Sequence, residues 1–71
     1  MKRHELLRGI ARAARAQGIV WQLDRQGASH EIWRCGDTLV PVPRHKEIGN
    51  TLAWTIFAQL EPEIGKDWWL K

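Results

Sequence analysis

Ile19-Val20-Trp21-Gln22-Leu23-Asp24, then Gln26-Gly27-Ala28-Ser29, then His30-Glu31-Ile32-Trp33-Arg34-Cys35, Gly36-Asp37 and Thr38-Leu39-Val40-Pro41-Val42-Pro43 run almost without a break. The first segment is rich in β-branched and aromatic residues, and Ile19, Trp21 and Leu23 alternate along it, so it reads as a strand. Gln26–Ser29 supplies a turn. The stretch 30–35 is a second strand, Gly36-Asp37 a two-residue hairpin signal, and 38–43 a third strand. Pro41 and Pro43 are two residues apart, so their missing N–H groups fall on one side of the backbone. A central strand cannot accommodate that, but an edge strand can. The third strand is therefore an edge, and the simplest sheet is an antiparallel meander in the order 1-2-3.

Helices flank this meander. Leu6, Leu7, Ile10, Ala13 and Ala14 recur at helical spacing and form an apolar stripe. At about 100° per residue, Arg8, Arg12 and Arg15 gather on the opposite side. Gly18 is a natural stop, so the first helix covers roughly 3–17. Its basic ridge is either a solvated face or a phosphate contact. After the loop Arg44-His45-Lys46-Glu47 and the break Gly49-Asn50, either Asn50 or Thr51 can cap a second helix. That helix carries Leu52, Trp54, Ile56, Phe57 and Leu60 and ends near Pro62. The fold class is α+β, in the order α-β-β-β-α, with the helices on one face of the sheet and a tail over 61–71.

Composition narrows the function classes. Seventy-one residues make one domain with a thin core, so chemistry is expected on an open face. Eleven Lys and Arg against eight Asp and Glu leave a net charge of +3. That balance suits an acidic partner, nucleic acid before a membrane surface, or is simply a basic solvated surface. The single cysteine, Cys35, excludes an internal disulfide and fits a reducing compartment. With no apolar leader and no bilayer-length apolar run, the expectation is a soluble cytoplasmic protein without a membrane partner.

Ser29-His30 opening an Ile-aromatic-Arg strand, then Val42-Pro43-Arg44-His45, then Gly49-Asn50-Thr51-Leu52 with Ile56 and Gln59 behind it, form an ordered set. With Lys2-Arg3-x-Glu5-Leu6-Leu7 at the start, this set resembles the HicA family and covers residues 2 to about 60. The resemblance implies a minimal fold like a double-stranded-RNA-binding domain. It also implies a metal-independent, mRNA-cleaving toxin of a toxin–antitoxin pair, restrained by a HicB-like antitoxin. It makes His30 the catalytic residue and calls for no cofactor. This chain has Ala28 where the family commonly has glycine before the serine, with Gly27 one place earlier. It also has Glu31 where many members carry a second histidine, and strand alternation turns Glu31 away from the face of His30.

Cleavage of RNA without a metal needs a group that moves a proton near neutral pH, which suits an imidazole. His30 would take the proton of a ribose 2′-hydroxyl. Arg25, Arg34, Arg44 and Lys46 are the candidates to stabilise the phosphate oxygens, with Arg34 first because it lies on the same strand and the same face as His30. Ser29 either orients the imidazole, bonds a phosphate or merely satisfies the turn. His45 is a second proton donor, a phosphate ligand or an ordinary surface histidine. No metal site is expected, since Cys35, His4, His30 and His45 show no paired ligand spacing. Cys35 has no support as a nucleophile.

Trp21, Trp33 and Trp54 read as core, although aromatic faces on a basic surface also suit base stacking. Trp68 and Trp69 either close the core or form a patch for a partner. Two other functions remain compatible with the sequence. One is a non-catalytic RNA-binding module using the Arg8, Arg12, Arg15 ridge and the basic loop. The other is a protein-binding adaptor using the Trp pair.

Overall fold

The computed structural model describes residues 1–66 and 68–70. The order is α1 (Arg3–Ala16), β1 (Trp21–Gln26), β2 (His30–Cys35), β3 (Thr38–Pro43) and α2 (Asn50–Ile64), with a 3-10 turn over Trp68–Leu70. The strands form one antiparallel sheet in the order β1-β2-β3, so β3 is an edge and the α-β-β-β-α arrangement holds.

Helix α1 begins where the Glu5 carboxylate accepts the Lys2 amide at 3.2 Å, half of a capping box. It ends in a Schellman motif. Gly18 sits at φ +69°, its amide reaches the Arg15 carbonyl at 3.1 Å, and the Ile19 amide reaches the Ala14 carbonyl at 2.8 Å. Ile19 then packs on the core, as the residue after the cap usually does. The strand starts two residues later than its β-branched run suggests, because Ile19 and Val20 serve this helix exit.

Leu6, Ile10 and Ala14 of α1 meet Cys35, Val40 and Val42 of the sheet and Ala53, Ile56, Leu60 and Ile64 of α2. Ile48, in the loop before α2, is also buried. The buried positions of α2 are spaced by three or four residues, which leaves Trp54 one residue off the stripe. Trp54 is therefore 53% exposed, contrary to its expected place in the core. Trp21 and Trp33 do pack against the core and stack on each other, with ring centroids 4.7 Å apart.

Two local expectations for α2 also change. Its N-cap is Gly49, not Asn50 or Thr51, and no side chain bonds the cap. The Lys2–Glu47 bridge and the buried Ile48 bring the chain in along a fixed path, so tertiary contacts rather than a cap start this helix. Nor does Pro62 end it. Pro62 and Ala58 are both exposed, so water can take the carbonyl that proline leaves unbonded, while buried Ile64 keeps the last turn docked.

Trp68 and Trp69 fold back onto α2. Trp68 packs against the core and donates its indole N–H to the Phe57 carbonyl at 3.1 Å, and Trp69 stacks on Phe57 at 5.3 Å. Trp68 thus helps close the core, while both rings stay half-exposed along a groove beside α1. Asp67 and Lys71 of the tail lie outside the described residues.

The β2–β3 hairpin turns at Gly36, where φ is +59°. A Cβ there would lie 2.3 Å from Glu63 Oε1, while Glu63 Oε2 accepts the Thr38 hydroxyl at 2.9 Å. Gly36→Ala therefore combines left-handed backbone strain of about 1–2 kcal/mol with displacement of Glu63 from Thr38. Urea denaturation should show a loss of about 2 kcal/mol, and unchanged stability would refute this turn geometry.

Candidate active site

Alternation along β2 sends Glu31, Trp33 and Cys35 toward the helices and leaves His30, Ile32 and Arg34 on the open face. His30 opens the strand and lies opposite Pro43; Ile32 lies opposite Pro41 on one side and Arg25 on the other. The proline-bearing edge thus forms one border of the His30 face.

The His30 side chain is exposed. Its Nδ1 is 3.1 Å from Ser29 Oγ, a contact that serves either tautomer. Among the described residues Nε2 has no protein partner. Ser29 therefore touches the imidazole, the first of its three expected roles. The turn that delivers both residues is tight: the Gly27 amide donates to the His30 carbonyl at 2.8 Å, and a Cβ at 27 would stand 3.1 Å from that oxygen. The close backbone approach falls on Gly27, and Ala28 is exposed.

The four candidate cations divide by what they bind. Arg34 Nε donates to Asp24 Oδ1 at 3.3 Å, a pairing made possible by the irregularity between Leu23 and Arg25. Arg44 is attached to the turn itself, through Gln26 Oε1 at 3.1 Å and the Gly27 carbonyl at 2.9 Å. It braces the loop that holds Ser29 and His30. Arg25 and Lys46 are exposed and have no partner among the described residues. Arg25, across from Ile32, is thus the unpaired cation nearest His30 along the open face, ahead of Arg34. His45 is exposed, with no bond that chooses among its readings.

Glu31 is occupied elsewhere. On the helix side it receives Arg3 Nη2 and, at 3.1 Å, Trp33 Nε1, while Arg3 Nε donates to the Pro43 carbonyl at 2.9 Å. Beside this network lies a cleft of about 380 Å³ lined by Lys2, Arg3, His4, Arg44 and Lys46. Sequence reasoning placed Arg44 and Lys46 near the site but passed over Lys2, Arg3 and His4. The run Lys2-Arg3-His4 was the available signal; its meeting with the 44–46 loop depends on a bridge between Lys2 and Glu47 that spans most of the chain.

Cys35 is fully buried, and burial first, then the Glu63 carboxylate, pushes its thiol pKa up. Neither effect favours a nucleophilic thiolate. Among the described residues no group of three His, Cys, Asp or Glu stands close enough to hold a metal ion, and no helix is long and apolar enough to cross a membrane. No protein-family model, characterised protein or solved structure matches this chain.

A raised folded-state pKa means the native protein keeps this proton after the unfolded chain has begun to lose it. The associated stability is complete below about pH 8.5 and falls as pH rises further. The urea midpoint should therefore fall more steeply between pH 8 and 10 in the wild type than in Cys35→Ala. Equal slopes would show that Cys35 is not the group responsible.

Proposed function

We propose that this protein is a small endoribonuclease that cuts mRNA with His30 as general base, the toxin of a toxin–antitoxin pair. The observation that carries the reading is the exposed imidazole of His30, bonded at Nδ1 to Ser29 and open at Nε2, on an uncovered sheet face beside the unpaired Arg25. The ordered resemblance to HicA proteins supplies the reaction class.

In this mechanism Nδ1–H donates to Ser29 Oγ, which turns the Nε2 lone pair outward. Nε2 takes the proton from a ribose 2′-hydroxyl, and the 2′-oxygen attacks the adjacent phosphorus. The bond to the 5′-oxygen breaks, and that oxygen leaves with a proton from solvent. The products are a 2′,3′-cyclic phosphate and a 5′-hydroxyl end. Arg25 offsets the charge that develops on the non-bridging oxygens. A HicB-like antitoxin would restrain the toxin by covering the His30 face.

The test is cleavage of a single-stranded RNA in EDTA, beside RNA affinity measured for the same samples. Wild type should cut. His30→Ala should lose at least about a hundredfold in rate, the scale of a general-base contribution, while keeping its affinity. In a bacterium, only wild type should arrest growth with loss of mRNA. Binding without cleavage in the wild type would leave a non-catalytic RNA-binding module, and the absence of RNA affinity at low salt would remove both.

A further inference from the structure

The cleft lined by Lys2, Arg3, His4, Arg44 and Lys46 has cationic or imidazole side chains on every side and no carboxylate in its lining. Three of its members are already engaged. Lys2 Nζ pairs with Glu47 at 3.3 Å, Arg3 with Glu31, and Arg44 Nη2 with Gln26 and Gly27. His4 and Lys46 are exposed and have no partner among the described residues. Glu47 and Glu31 balance Lys2 and Arg3, but Arg44 bonds only neutral oxygens and Lys46 bonds none, so among the described residues two cations here lack a counter-charge and the cleft is suited to an anion.

Its position says which anion. Arg44 follows Pro43, the residue opposite His30, and the Arg44 amide lies 3.4 Å from the Ser29 carbonyl. The cleft therefore begins one residue beyond the pair that carries the imidazole, around the end of the sheet. A nucleic-acid strand crossing His30 meets it next. The Arg8, Arg12, Arg15 ridge is built differently: Arg12 lines a separate, largely apolar groove with Ala13, Phe57 and Trp68.

We infer that this cleft is a phosphate subsite, holding a backbone phosphate of the RNA strand cut at His30, with Lys46 and His4 as its free ligands. The inference rests on the ribonuclease reading for its substrate, but its test does not. A short single-stranded deoxyoligonucleotide has the phosphates and lacks the 2′-hydroxyl, so it binds without being cut. Its affinity, measured by fluorescence anisotropy across a salt series, should fall about tenfold in Lys46→Ala and in His4→Ala, as expected for loss of a charge-assisted contact. The salt slope should drop by roughly 0.7 in Lys46→Ala, one phosphate's share for a single strand. Arg12→Ala should bind like wild type.

As a measurement free of substitutions, inorganic phosphate added to the wild-type protein should shift the His4 imidazole resonances before those of His45. Unchanged affinity in both cleft variants, an equal loss in Arg12→Ala, or a His4 signal indifferent to phosphate would each overturn the subsite. Loss of the ribonuclease reading has a separate signature, an absence of EDTA-resistant cleavage by the wild type.

Discussion

The side chain of Arg3 is the tie on which the arrangement depends. It leaves the first turn of α1, reaches Glu31 on the middle strand and the Pro43 carbonyl on the edge strand, while the Arg3 amide reaches the Lys46 carbonyl at 2.8 Å. One residue thus joins the start of the chain to the end of the sheet and the loop leading into α2. Both partners of the ion pair are about four-fifths buried, so neither charge is left with bulk water as its main solvent. Glu31 has a further donor in Trp33 and Arg3 has the carbonyl, which are the additional bonds a shielded pair needs in order not to be a net cost. Glu31 follows His30 directly, so holding one fixes the backbone that presents the other.

The sheet is covered on one side only, and this follows from size. A chain of 71 residues has two helices to spend on burial, and both pack where Cys35, Val40 and Val42 point. Large aromatics extend that layer: Trp21 stacks on Trp33, and the 3-10 turn folds Trp68 and Trp69 onto Phe57. The opposite face keeps its β-edge from pairing with another chain through Pro41 and Pro43 rather than through a covering element. An uncovered face beside a blocked edge is open to a ligand that binds through side chains.

How much of this was legible varies with the range of the interaction involved. Strands 30–35 and 38–43 could be read to the residue, because alternation, a two-residue glycine turn and the paired prolines are all local signals. Strand β1 was displaced by two residues because Ile19 and Val20 look like strand but complete the exit from α1. Trp54 was misplaced because hydrophobicity alone does not distinguish a stripe from its flank, and Pro62 because a buried Ile64 two residues later outweighs one missing bond. His30, Ser29 and Arg25 were legible as a neighbourhood. The commitment of Arg34 to Asp24 was not, since it needs the strand irregularity, nor was the cleft, whose walls come from opposite ends of the sequence.

An imidazole on an open face has a consequence for control. Deep active sites limit their own reactivity by enclosure, admitting only what fits and excluding water. The face of His30 has no such wall: Ser29 and Arg25 beside it are exposed too. In the proposed ribonuclease, selectivity then comes from how a strand is held across the face and around the end of the sheet, and restraint comes from another molecule laid over it. On the edge strand Pro41, exposed opposite Ile32, offers that molecule apolar surface without offering it a β-strand to pair with, whereas Pro43 opposite His30 is buried. Under the proposed reading, a restraining partner would bind here through side chains and charge, and the unpaired Arg25 on this face would favour an acidic one.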